Sequence, residues 1–306
     1  MKCISHKATF FHKKWLLILL VMALGTFAQA AAKTTADVPK STPNDKPKDQ
    51  LKIIALAPHI VENLYAIGAG EQIIGTTEHA DYPEQAKAIP RIGNYARLQI
   101  ERILQIKPDV IIAWKSGNPV DDLERLEKYG LNVVYSHPVD LEDVAEEFLL
   151  LGEITGRTEK AKALADEYLT RLNTLKQKYQ NASPVTGFYE MWARPLRTVA
   201  NNAWLQKQIA LCGVANPFVD LSEDYPLVSL EKVLAVNPQI VIQPTPHSAA
   251  SPDSLDWSKW PHIPASQHGF ILHPDADKTH RTTMRMLDEL EVLCEGVDGA
   301  RRVYDG

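Results

Sequence analysis

The sequence predicts an α/β protein in which two doubly wound lobes are joined by a single long bracing helix, with a ligand cleft between the lobes. Three observations carry this. One phrase occurs twice, as LQIERILQIKPDVIIA at Leu98–Ala113 and as VSLEKVLAVNPQIVIQ at Val228–Gln243. Short apolar runs alternate with helical patterns through both halves, the order of parallel sheets. Between the halves runs one amphipathic stretch, Thr158–Gln180, with Leu164, Tyr168, Leu172 and Leu175 at helical spacing.

Each copy of the phrase reads as a helix followed by a buried strand. Ile100, Ile103, Leu104 and Ile106 keep one apolar face, Pro108 stops the helix, and Val110, Ile111 and Ile112 suit a central parallel strand. Leu230, Val233, Leu234, Val236, Pro238 and Ile240–Ile242 repeat the pattern. Glu101 and Glu231 share one slot in the first helical turn, where the helix dipole favours an acid. Capping explains either glutamate alone; two at one slot of two lobes point to a shared use. The interval between copies is too long for a solenoid.

From the start, Lys2, Lys7, Lys13 and Lys14 precede an apolar run, Trp15–Ala28, and a small-x-small site at Ala28-Gln29-Ala30, so residues 1–30 read as an export signal. That run is shorter than the ~20 residues of a membrane span. Residues 31–50 carry almost no large apolar side chain and read as a disordered tether. The first lobe is expected over 51–156, the brace over 157–181 and the second lobe over 182–303. In the first lobe, strands at Lys52–Ala57, Gln72–Gly75 and Asn132–Tyr135 flank helices at Pro58–Ile67 and Asp121–Tyr129. Leu141–Gly152 is helical, and the brace spans roughly 35 Å at 1.5 Å per residue. The second lobe opens with a strand at Val185–Met191, a loop and a helix at Leu205–Leu211. It closes, after an irregular stretch over 244–263, with a strand at Gly269–Leu272 and a helix at Met284–Leu293 that carries Cys294 at its end.

The net charge of −5 gives no basic face for nucleic acid. Behind the signal stand two cysteines, Cys212 and Cys294, and no CxxC or Cys/His cluster. In an oxidising compartment an even pair implies a disulfide closing a long loop, the alternative being two buried thiols.

The segments that follow strands are aromatic: Tyr82, Tyr95 and Trp114 in the first half, Trp192 and Tyr225 in the second. His79, Arg197, Asp277, His280 and Arg281 add polar groups. Flat side chains suit a large planar ligand, with the few polar groups fixing its orientation. No catalytic signature is present: there is no GxSxG, HExxH or Walker loop, and Gly68-Ala69-Gly70 lacks the third glycine of a dinucleotide fingerprint. His273 and His280 share a loop, a spacing that fits a metal, a ligand carboxylate or plain packing.

The export signal, the two lobes around a long helix, DYPEQAKAIPRIGNYARLQIERILQIKPDVIIAWKSGNP and the later DYPLVSLEKVLAVNPQIVI together resemble the helical-backbone class of periplasmic substrate-binding proteins, and within it the cobalamin-binding members that serve ABC importers. The resemblance spans nearly all of Leu51–Cys294, and Asp81–Asn118 is its most specific part. It implies a monomeric periplasmic carrier rather than an enzyme, taking vitamin B12 or cobinamide. It places ligand contacts at His79, Tyr95, Trp114 and Tyr225, with Asp277 and Arg281 as a polar pair. It implies docking of Glu101 and Glu231 on arginines of the importer's permease subunits, and it pairs Cys212 with Cys294. Tyr95 and Tyr225 stand where members of that group carry tryptophan, His79 replaces another aromatic, and Arg197 falls near an expected phenylalanine. Tyrosine keeps the flat face; the arginine and histidines also suit haem or a ferric siderophore. Two readings of other classes are an exported metal-dependent enzyme using His273, His280 and Asp277, and a sensor whose two glutamates face a membrane partner.

Overall fold

The computed structural model describes residues 46–245 and 253–306. The expected signal at 1–30 and most of the expected tether lie outside the described residues. The end of the tether departs from expectation: Lys48–Gln50 form a short 3-10 helix, Lys46 Nζ lies 2.5 Å from the Asp109 carboxylate, and Lys48 Nζ donates to the Glu153 carbonyl at 2.7 Å. Acceptors far along the chain hold this segment, and composition alone does not reveal them. Among the described residues no helix is long and apolar enough to cross a membrane.

The first half is the alternation β1 (Ile53–Ala55), α1 (Pro58–Ala66), β2 (Ile73–Thr76), α2 (Ile100–Ile106), β3 (Val110–Trp114), α3 (Val120–Lys128), β4 (Val133–Ser136) and α4 (Asp143–Thr155). Its strands form one parallel sheet in the order β2-β1-β3-β4. Successive side chains of β1 enter different cores, as a strand covered on both faces requires. Ile53 and Ala55 pack with α1 and α4, while Ile54 packs with Ile100 and Ile103 of α2 and Leu123 and Leu126 of α3.

A 22-residue helix follows, α5 (Thr158–Tyr179). Its buried stripe, Tyr168, Leu172 and Leu175 among others, faces inward, and Tyr168 donates its hydroxyl hydrogen to the Leu141 carbonyl at 2.8 Å. Toward the second half, Arg171 reaches Glu291 at 2.9 Å and Asp288 at 2.7 Å.

The second half comprises β5 (Val185–Tyr189), a hairpin of β6 (Trp192–Ala193) and β7 (Leu196–Arg197), α6 (Trp204–Leu211), β8 (Val214–Ala215), α7 (Leu230–Ala235), β9 (Ile240–Ile242), α8 (Pro264–His268), β10 (Ile271–Leu272), α9 (Ala276–Thr279) and α10 (Met284–Tyr304). Its parallel sheet has the order β10-β9-β5-β8. The two copies of the repeated phrase match in backbone detail. Each helix is followed by a residue at φ 52°, Lys107 or Asn237, directly before its proline, because the proline ring disfavours the right-handed helical region for the residue before it.

Two expectations change here. The closing helix does not end at Cys294: α10 runs to Tyr304, and Val297 and Ala300 are fully buried beyond the cysteine. Burial on that face outweighs the weak helix propensity of Gly296 and Gly299, a cost of about 1 kcal/mol each. The stretch after β5, expected as a loop, holds the short β6–β7 hairpin.

One hydrophobic core runs through both halves, joining Ile53 and Leu64 of the first to Ile240 and Leu290 of the second by way of α5. Residues Asp45–Gly306 accordingly form one compact unit. The Cys212–Cys294 disulfide ties the end of α6 to α10 within this core, with both residues fully buried.

Candidate functional site

Parallel strands of both sheets point their carboxyl ends toward a cavity of about 530 Å³ between the halves, where open α/β sheets place ligands. Trp114 ends β3 and His137 follows β4; from the other side come Trp192 of the hairpin, Trp204 at the start of α6, Tyr225 before α7, and His280 after α9. The size suits a drug-sized ligand or one face of a larger one.

Trp114 is held as a fixed platform. Its backbone N–H donates to Asn118 Oδ1 at 2.7 Å, and Asn118 Nδ2 donates to the Leu56 carbonyl at 2.8 Å. The indole lies over Gly117, where an added Cβ would fall 1.9 Å from the ring. Any side chain there would displace the platform.

Under Trp114 lies a buried polar group. The His59 ring meets the indole edge-on at 5.3 Å, and its Nε2 stands 3.3 Å from Ser136 Oγ and 3.8 Å from Glu147 Oε1. Serine, histidine and carboxylate together suggest a hydrolytic triad, but both contacts use one nitrogen, whereas a triad needs the acid on the other. Ser136 is also only 1% exposed. Burial drives both ionisable groups neutral: His59 falls from 6.5 to about 3, helped by the Arg281 charge, and Glu147 rises from 4.5 to about 8.

A pH signature follows from these two groups. Unfolded His59 gains its proton below 6.5 while the folded ring resists until about 3, so its contribution is complete above 6.5 and lost as pH falls. Folded Glu147 keeps a proton that the unfolded chain releases above 4.5, so its contribution is complete below 4.5 and lost as pH rises to about 8. The slopes cancel between 4.5 and 6.5. From pH 6.5 to 8 the pair removes about 2 kcal/mol of stability at 1.36 kcal/mol per unit. Urea unfolding at those two pH values should show this loss in the native chain and not in Glu147→Gln; equal losses in both proteins would contradict it.

Of the residues singled out from sequence, Trp114, Trp192, Tyr225 and His280 converge on the cavity. Arg197 stands behind it, its guanidinium donating to the Tyr225 carbonyl at 2.6 Å. Tyr95 is 77% exposed and lies outside the cavity lining. Tyr82 lines a separate, larger cavity of about 660 Å³ beside α1, with the Arg285 guanidinium 3.8 Å above its ring. His273 is tied through Nδ1 to the Gln243 carbonyl at 3.1 Å. Asp277 and Arg281 pair at 3.2 Å, but Arg281 also reaches across to Glu62 at 2.7 Å, Asp81 at 3.0 Å and the His79 carbonyl at 3.1 Å. Arg281 therefore joins the two halves.

Sequence reasoning passed over His137, Trp204 and Glu62. His137 follows β4 as Trp114 ends β3, so strand-end position was a usable signal. Glu62 sits mid-helix like a surface acid, and its partner lies 219 residues away.

Glu101 and Glu231 are exposed in the first turns of α2 and α7. At α7, Ser229 Oγ accepts from the Lys232 N–H at 3.3 Å. The Glu231 backbone amide and the Ser229 hydroxyl hold the Glu231 carboxyl below its ordinary range.

A model of the periplasmic binding protein family matches residues 53–275. The chain belongs to this family. This binding protein is 34% identical over 252 residues to the vitamin B12-binding protein of Vibrio campbellii, covering 82% of this chain and 90% of that one. It is 37% identical over 245 residues to the vitamin B12-binding protein of Vibrio vulnificus, covering 80% and 89%. Among solved structures, the periplasmic vitamin B12 binding protein of Vibrio cholerae matches with a TM-score of 0.76 at 33% identity, over 82% of this chain and 98% of that one. The periplasmic heme-binding protein of Roseiflexus sp. RS-1 matches with a TM-score of 0.71 over 82% and 99%, but at 21% identity it shares the fold alone. The sequence resemblance to periplasmic substrate-binding proteins stands.

Proposed function

We propose that this binding protein captures a corrinoid, vitamin B12 or cobinamide, in the periplasm and delivers it to an ABC importer of the inner membrane. One observation carries the reading: an aromatic-walled cavity between the halves of a chain that is 34% identical to a vitamin B12-binding protein over 90% of that protein's length. Residues 1–30 serve as the export signal, cleaved near Ala30. Trp114, Trp192 and Tyr225 supply flat surfaces and Arg197 backs Tyr225, while Tyr95, Tyr82, His79, Asp277 and Arg281 stand outside the cavity lining. Glu101 and Glu231 meet basic residues of the permease subunits. The shared core and α5 limit opening between the halves, so binding involves little closure.

A second reading, haem or a ferric siderophore, draws on His137 and His280 in the cavity. Titrating mature protein with cobalamin, cobinamide, haemin and ferric chelates separates the two; saturation by haemin alone would overturn the corrinoid reading. The enzyme reading has less support. Among the described residues no three His, Cys, Asp or Glu side chains form a group suited to a metal, so His273, His280 and Asp277 do not converge as one.

Docking and capture separate by mutation. Glu101→Ala with Glu231→Ala should keep ligand affinity and reduce importer-coupled uptake. Trp114→Ala should weaken ligand binding by about 30-fold, since a truncated aromatic anchor typically costs 2 kcal/mol or more. Loss of ligand binding in the glutamate double variant would show that those acids belong to the pocket.

A further inference from the structure

We infer that His280 ligates the cobalt of a bound corrinoid through the imidazole nitrogen that Tyr189 leaves free. This rests on the corrinoid reading above and adds a coordination bond to it.

The geometry is specific to this ring. His280 follows α9, lines the cavity and is exposed into it. Its Nε2 stands 3.1 Å from the Tyr189 hydroxyl, and Tyr189 is 1% exposed at the end of β5. Beside it, Thr279 Oγ1 gives its hydrogen to the Asp275 carbonyl at 3.1 Å. In the tautomer that carries its proton on Nε2, His280 donates to the Tyr189 hydroxyl oxygen. That tautomer leaves the lone pair on Nδ1. Nδ1 makes no hydrogen bond among the described residues. A ligating histidine is ordinarily oriented in this way, by a partner on its other nitrogen. Burial, with the Arg281 charge, lowers the ring's pKa from 6.5 to about 4 against the opposing pull of Asp277 and Asp275, and only neutral imidazole binds a metal.

The surroundings fit a metal that arrives already chelated. Among the described residues no cluster of three ligating side chains exists, so this cavity does not build a site for a bare ion. A corrin ring fills the equatorial positions of its cobalt, and one imidazole completes an axial position. The exchange balances simply. The Nδ1 lone pair forms a Co–N bond, the Co–O bond to an axial water breaks, water leaves, and no proton or electron moves.

The test uses mature protein and diaquocobinamide, whose cobalt carries no base of its own, with cobalamin alongside. After reduction to Co(II), the electron spin resonance spectrum of bound cobinamide should show the three-line splitting of one axial nitrogen, becoming two-line when the histidines carry nitrogen-15. His280→Ala and His280→Gln should lose the splitting. Both variants should bind cobinamide about tenfold more weakly; the glutamine variant keeps a side chain able to hydrogen-bond Tyr189 without a competent ligand. Cobinamide binding without nitrogen splitting in the native chain overturns the inference and leaves the corrinoid reading intact, as does splitting that persists in His280→Ala and disappears in His137→Ala. If neither corrinoid binds the native chain while haemin does, the functional reading itself fails and this one with it.

Discussion

Replacing Cys212 and Cys294 together with serine should lower the unfolding free energy by about 2–5 kcal/mol, the usual cost of deleting a native disulfide. The bond joins residues 82 apart, and in the chain-entropy account a crosslink around a loop of that size restricts the unfolded chain strongly. It also lies in the shared core: both cysteines are fully buried, and Arg301 Nη2 donates to the Cys212 carbonyl at 2.7 Å. Two serine hydroxyls there would need partners that the apolar surroundings do not offer, which adds to the loss. Urea unfolding of the native chain with and without reductant, beside the double serine variant, measures it. Reductant should shift the native midpoint down and leave the variant unmoved. A native chain insensitive to complete reduction would show that the crosslink carries little stability.

The fold was legible where local pattern and tertiary role agree. The apolar triplets of β3 and β9 are buried on both sheet faces, and only central parallel strands read that way. The end of α10 was not legible, because its glycines suppress the local helix signal while the burial of Val297 and Ala300 depends on distant elements. The same division runs through the site. Trp114 and Tyr225 were visible as rings at strand or loop ends, and a doubly wound topology brings such positions to one crevice. The cross-links between halves were not visible. Glu62, in the run PHIVENLYA, has the local appearance of a solvated helical acid, and only the approach of Arg281 makes it a buried partner. Arg281 itself was read as a ligand contact, yet its guanidinium hydrogens already serve four oxygens of the protein. No local spacing encodes a pairing over such a distance.

Arg281→Ala should cost about 3–5 kcal/mol, as expected when one partner leaves a buried ion pair. Arg281 is 8% exposed and Glu62 is 5% exposed. Glu62 Oε1 accepts from Arg281 at 2.7 Å and from Arg285 at 3.1 Å. Even so, burial outweighs both cations and holds the Glu62 pKa above 4.5. Removing Arg281 deletes its attraction and leaves the burial, so Glu62 moves toward its protonated form and the loss is largest at high pH. Nearby, Asn63 Nδ2 donates to the Thr282 carbonyl at 3.0 Å, so the same segment of the second half is held twice. The decisive comparison is Glu62→Gln, Arg281→Met and the double variant, measured by urea unfolding above and below neutrality. If the ion pair latches the halves, the double variant loses at least 1 kcal/mol less than the two single losses together, because each single change weakens the compensation of a buried charge that the other change removes. Strictly additive losses would mean that the two side chains are stabilised independently and that the junction is held by the shared core and α5 alone.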